Sequence, residues 1–236
     1  MNYLYLHAIF TMKKQLVTIV IICMTSISWS QVNEIGFTVG GTNYIGDIGK
    51  TNYISPNKLG FGLLYKYNLN PRIALRGSLS YLPIESNDAS SKNSVRRKRG
   101  YFFNNNIKEL TLGVEYNFFE FDLTSDDKTY TPFITVGISG LLFNKVHSEV
   151  SPNVYNYKNA TAIAIPFGVG FKIKVMNNIA FGIEAKARYS FTDGLDYSAK
   201  NITSLNFGNQ GNDWYMFSGI SLIYAFGRPS CYSVFK

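Results

Sequence analysis

The chain has 236 residues, room for one ordinary domain, and it is basic, with 23 Lys and Arg against 15 Asp and Glu. Aromatic residues make up 16% and charged residues 16%, with 20 glycines and 7 prolines. That mix suits pleated strands and excludes a disordered, highly charged chain.

The first element is a targeting segment. Met12 precedes Lys13 and Lys14, an apolar stretch runs from Leu16 to about Ser26, and Ser28-Trp29-Ser30 puts small residues where a signal peptidase reads. Residues 1–30 are therefore expected to be a secretory signal peptide, with Met12 as an alternative start. The stretch is shorter than the about 20 apolar residues that a permanent membrane helix needs. Ile22 stands before Cys23 where lipid attachment wants a small residue, which argues against a lipoprotein. Cleavage removes Cys23 and leaves Cys231 alone, so no internal disulfide forms. It removes two lysines and no acids, so the remainder stays basic; export excludes nucleic acid as the partner for that charge.

Period-two segments follow. Strands are predicted over 34–41, 60–67, 75–81, 109–118, 133–143, 163–175, 179–191 and 214–226. The last three are the most regular. Ile163, Ile165, Phe167, Val169, Phe171, Ile173 and Val175 form one face, opposed by Ala164, Pro166, Gly168, Gly170, Lys172 and Lys174. The connections alternate: 42–57, 85–106, 144–159 and 192–213 are long, whereas 69–72, 120–131 and 176–178 are shorter. Bacterial barrels alternate in this way, with long loops outside and short turns in the periplasm. The expected fold is all-β: a transmembrane antiparallel up-and-down barrel of about eight strands over residues 31–227. A tail, 228–236, would lie in the periplasm, and the location would be the outer membrane of a Gram-negative bacterium. A soluble sandwich or lipocalin-like barrel shares the alternation. It fits less well, because the polar face is small and carries both signs of charge. Aromatic residues also gather near strand ends (Tyr65, Tyr67, Tyr116, Phe118, Phe119, Tyr189, Phe191, Trp214), as an interfacial girdle requires.

The predicted register turns Lys66, Arg76, Glu109, Glu115, Lys172, Lys174, Glu184, Lys186 and Arg188 into the lumen. An interior of about eight strands is only wide enough for side chains to fill. The expected result is a closed, salt-bridged lumen, and the rival reading is a narrow ion path. Catalytic chemistry has little to draw on. His147 is the one histidine after the signal peptide, no serine stands in a nucleophile elbow, and Asp126-Asp127 and Asp193 with Asp196 read as turn residues. No enzyme activity, metal or cofactor is expected.

Two surface features remain. Arg96, Arg97, Lys98 and Arg99 run into Tyr101, Phe102 and Phe103 in the second long loop. This basic-aromatic patch suits lipopolysaccharide phosphates, a partner, or lipid headgroups. The tail residues Arg228, Cys231 and Tyr232 suit a docking point for a periplasmic protein, with a merely disordered end as the alternative.

Several stretches together resemble a known family. GFTVGGTNYIGDIG, YKYNLNPRIALRG, RRKRGYFFNNNIKELTLGVEYNFFEF, TPFITVGI, AIPFGVGFKI, RYSFTDGLDY and DWYMFSGISLIYAFG are similar to small outer-membrane barrels of the Bacteroidota. That family includes PorG, of the type IX protein secretion system. The resemblance implies a non-enzymatic barrel that ties a periplasmic secretion ring, with a lipoprotein component, to the outer membrane. It also links the chain to gliding motility. A small binding or pore protein acting through its long outer loops is the alternative.

Overall fold

The computed structural model describes residues 32–227, apart from 126, 152–153, 200–201 and 207–210. The expected signal peptide, the tail with Arg228, Cys231 and Tyr232, and Asp126 lie outside the described residues.

Eight strands form, each antiparallel to the next, and β1 (Asn33–Ile45) closes the ring against β8 (Trp214–Phe226). Between them run β2 (Lys58–Asn68), β3 (Ile73–Asn87), β4 (Phe102–Asn117), β5 (Tyr130–Ser151), β6 (Val154–Met176) and β7 (Ile179–Ser190). Closure pairs every strand on both sides, which leaves no edge to template aggregation. A strand exposes alternate residues to opposite faces, so one register decides the whole molecule. Here Leu112 and Ile138 are each 66% exposed on the outer face, while Lys66 and Glu115 are fully buried inside. The barrel is apolar outside and charged within.

The tight turns have local causes. At 69–72 the Asn70 side chain accepts hydrogen bonds from the amides of Arg72 and Ile73, at 2.9 and 2.8 Å. An Asn that bonds its own following backbone makes such a turn without help from the rest of the fold. Between β6 and β7, Asn178 takes a positive φ of 68°, and its amide nitrogen donates to the Ala225 carbonyl at 3.0 Å. Asn tolerates that left-handed conformation better than most residues.

Three predicted boundaries shift. β1 continues to Ile45, because residues 42–45 pair with 214–217. The second long connection is partly strand: β3 runs to Asn87 and β4 starts at Phe102. A 3-10 turn (Asp88–Ser90) and a six-residue helix, α1 (Ser94–Arg99), lie between them. The predicted third loop is mostly a projecting hairpin, with Asn144 opposite Asn159 and Val146 opposite Tyr157, broken by irregularities at 146/148 and 149/151. The polar run 144–151 resembles a loop in sequence. It is held extended because Val146 packs against Ala199, Ile202 and Leu205 of the last long connection.

Packed side chains close both ends. At the short-turn rim, where β1 begins and β8 ends, residues 118–125 of the connection fold beneath the lumen. Phe121 and Leu123 pack there with Val32, Leu64, Ala180, Ile223 and Ala225. The Phe121 amide donates to the Pro71 carbonyl at 3.1 Å, and the Asn178 amide donates to that of Leu123 at 3.2 Å. At the long-loop rim, Ile48 and Leu195 descend from loops onto Tyr44, Leu82, Ile84, Phe103, Ile107, Phe143, Tyr215 and Phe217. Leu123→Ala should cost about 2–5 kcal/mol, the range for emptying a buried leucine site. Urea unfolding of the detergent-refolded barrel measures that loss.

Candidate functional site

The lumen between the two caps holds, besides one separate ion pair, a connected ionic network. Its centre is Glu115 on β4, whose Oε1 lies 2.7 Å from Lys66 Nζ and 2.6 Å from Lys172 Nζ. Its Oε2 lies 2.9 Å from the Arg76 guanidinium. Arg76 also reaches Glu184 across the barrel at 2.8 Å, and Lys186 meets the other oxygen of Glu184 at 2.9 Å. Nearer the long-loop cap, Arg188 meets Glu109 at 2.8 Å, and Tyr215 donates to the same carboxylate at 2.5 Å. The Thr111 hydroxyl donates to Glu109 at 2.9 Å. Aromatic rings contribute as well: Lys172 Nζ lies 4.4 Å from the ring centre of Phe121 in the lower cap and 5.5 Å from that of Phe133 on β5. A cation over a ring face is attracted by its quadrupole, and more strongly away from water.

The structure thus brings together Lys66, Arg76, Glu109, Glu115, Lys172, Glu184, Lys186 and Arg188. Lys174 stands at the short-turn end of this column and donates to the Ser125 carbonyl instead of joining a carboxylate. Sequence reasoning missed Glu34, Tyr215 and Asn68. Glu34 faces Lys66 directly in the β1–β2 register, its carboxylate is 3.5 Å from Lys66 Nζ, and it accepts from Asn68 at 2.9 Å. The signal was present, since the alternation of the predicted strand 34–41 turns Glu34 inward, and one more residue of the predicted strand 60–67 turns Asn68 inward. Tyr215 lies on the inward face of β8, and an uncharged aromatic there carries no sequence signal that it joins a carboxylate.

The basic run is not the free patch that the sequence suggests. Arg96 donates to the Gly49 carbonyl at 3.1 Å, and Arg97 to the carbonyls of Ser91 and Lys92 at 3.0 and 2.9 Å. Arg99 pairs with buried Asp88 at 2.7 Å and donates to the Asp47 carbonyl at 2.8 Å, with its guanidinium 5.5 Å from the Tyr101 ring centre. Lys98 remains exposed. The α1 cations therefore bind the first and second loops together. Their side chains are long enough to turn back onto carbonyls that a short helix leaves nearby. Tyr101 joins this clasp through its amide, which donates to Asp88 at 3.1 Å, and its hydroxyl, which donates to the Ser204 carbonyl. His147 is exposed on β5. Among the described residues no group of three or more His, Cys, Asp or Glu is placed to hold a metal.

A second acidic pair closes the long-loop cap. The Tyr44 hydroxyl lies 2.9 Å from Asp196 and 2.5 Å from Asp213, and Asp213 accepts the Leu195 amide at 2.9 Å.

Residues 13–235 match the model of a family described as a domain of unknown function, DUF6089. The chain belongs to this family. No curated protein matches it. Among solved structures, a major outer membrane protein of Thermus thermophilus is similar at 13% identity and a TM-score of 0.46, covering 84% of this chain and 100% of that one. Neisserial surface protein A is similar at 12% identity and a TM-score of 0.42, covering 83% and 96%. The N-terminal β-barrel domain of OprF from Pseudomonas aeruginosa is similar at 14% identity and a TM-score of 0.39, covering 83% and 98%.

The charge geometry of this DUF6089 member separates strong pairs from weak ones. Glu115→Gln takes from buried Lys172 its one ion-pair partner among the described residues and leaves Lys66 only Glu34, and should cost about 3–5 kcal/mol, the penalty for breaking a buried pair. Glu85→Gln removes a partly exposed pair with Lys58 and should cost about 0–1 kcal/mol by the same denaturant titration.

The loop carboxylates set the pH response. Burial raises the pKa of Asp213 well above the usual range, and the Asp196 charge adds to it; burial raises Asp196 too. The folded cap therefore binds protons more tightly than the unfolded chain. This pair adds stability as pH falls from neutral, and the gain is complete below the ordinary carboxylate range. Asp88 has the opposite sign. Burial opposes its ionisation, but Arg99 and the amides of Gly49 and Tyr101 outweigh that and hold its pKa low. Its contribution is present above the ordinary value and is lost only below it. The urea midpoint should rise on mild acidification and fall at lower pH, and Asp213→Asn should flatten the rise alone.

Proposed function

We propose that this protein is a non-enzymatic barrel of a Gram-negative outer membrane that works as an anchor for a periplasmic assembly. The observation that carries this reading is the sealed lumen. With a paired ionic column between two apolar caps, the working surfaces are the rims and loops. The outer face fits hydrocarbon all round, and aromatic residues stand at both ends of it. Tyr116, Phe118, Phe119 and Tyr130 cluster near the short-turn rim, and Tyr189, Phe191 and Trp214 cluster towards the long loops. Aromatic rings of this kind mark the two interfaces of a membrane barrel, and the short turns face the periplasm. Lipid and lipopolysaccharide would surround the barrel.

Within that class, the resemblance to small Bacteroidota barrels supports a component of the type IX protein secretion system, related to PorG. Its periplasmic rim would hold a secretion ring that includes a lipoprotein. The rim offers exposed Leu69, Phe118 and Phe119 beside the Arg72–Glu120 pair, a mixed surface suited to a protein partner. Arg228, Cys231 and Tyr232 would extend that surface. Affinity purification from cross-linked native membranes tests the reading. Recovery of periplasmic ring proteins, reduced by Phe118→Asp with Phe119→Asp, is expected. Recovery of the barrel free of any periplasmic protein would contradict it.

A further inference from the structure

The charges inside the lumen do not balance. At the short-turn side, Glu34 and Glu115 face Lys66 and Lys172. Above them, Arg76, Lys186 and Arg188 share only Glu184 and Glu109, apart from the second contact of Arg76 with Glu115. In this network five buried cations meet four carboxylates, and the excess falls on the upper group. A charge removed from water with no counter-charge is costly, so such a site either gives up a proton or gains by taking a counter-ion. The acids of the long-loop cap are committed elsewhere, to Tyr44 and the Leu195 amide.

A cavity of about 20 Å³ lies among these same residues, lined by Arg76, Lys186, Arg188, Ser78, Thr111 and Glu109 among others. Arg76 is buried, and its terminal nitrogens are bonded to Glu115 and Glu184, yet its Nε has no hydrogen-bond partner among the described residues. Buried donors are almost always satisfied, so an orphaned guanidinium N–H beside a cavity marks an absent acceptor. The room is that of one water-sized species, since a single water needs about 10–15 Å³ measured this way. A water would satisfy the Nε but leave the charge.

We propose that the cavity is a buried anion site that holds one monovalent ion of halide size. Arg76 Nε donates to it, Lys186 and Arg188 supply the field, and Ser78 lies on the same wall. Sulfate or phosphate is too large for the space, and a carboxylate-bearing solute would need an open path that the two caps close. The ion would enter during folding and remain as an internal counter-ion, completing the network that Glu184 and Glu109 leave one charge short.

Crystals of the detergent-refolded protein grown in bromide, with anomalous diffraction, provide the direct test. One bromide peak within hydrogen-bond reach of Arg76 Nε is expected. The thermal midpoint should also rise with the logarithm of chloride concentration, at ionic strength held constant with gluconate, because a ligand of the folded state stabilises by mass action. Lys186→Met removes the excess charge and should abolish that rise, whereas Lys58→Met at the long-loop end of β2 should retain it. A cavity without bromide, or a chloride-independent midpoint in the unaltered protein, would overturn the proposal. If Lys186→Met fails to refold, the bromide peak alone decides.

Discussion

Glu115 receives Lys66, Lys172 and Arg76 from three different strands, and the rest of the interior is arranged around that junction. The constraint behind it is geometric. An eight-stranded ring encloses only side chains, and its outer face is apolar, so half of every strand must find partners across a few ångströms of lumen. Inward charges cannot be left to solvent and must meet one another. The β3–β7 contact through Arg76 and Glu184 and the β4–β7 contact through Glu109 and Arg188 brace opposite walls. Such pairs are weak evidence of net stabilisation, because desolvation offsets much of the attraction. Their clearer consequence is register: a slip of one residue would expose each of them to the apolar outer side.

The caps act on the network as insulation. Phe121 and Leu123 below, and Ile48, Phe103 and Leu195 above, exclude water from the charges and so strengthen every contact between them. The loops that carry the upper cap are fixed by polar contacts of their own, centred on Asp88 with Arg99 and on Tyr44 with Asp196 and Asp213. A sequence stretch with the charge of a ligand patch, Arg96 to Arg99, is thereby mostly spent on internal structure. What is left for recognition is the outer surface of the loops and the short-turn rim.

The strand count, the closure and the inward charges were legible because period-two alternation is a direct projection of the sheet's two faces. The extents of β5 and β6 were not. Polar residues such as Lys145, Ser148 and Glu149 carry no alternation, and their strand character comes from packing against a connection some fifty residues away. The plug formed by Phe121 and Leu123 was hidden for a similar reason: they sit among Asp, Ser and Thr in what reads as an ordinary turn, and only the open barrel end above them makes their burial favourable. Glu34 is the first residue of its predicted strand, and its pairing with Lys66 depends on the β1–β2 register, which alternation alone does not set.

The central claim is that the lumen is a sealed, charge-braced column, and conductance in planar bilayers tests it most directly. The refolded barrel should insert without producing steady or stepwise ion current across a wide range of voltage. Reproducible open-channel steps that scale with the amount of inserted protein would contradict the account.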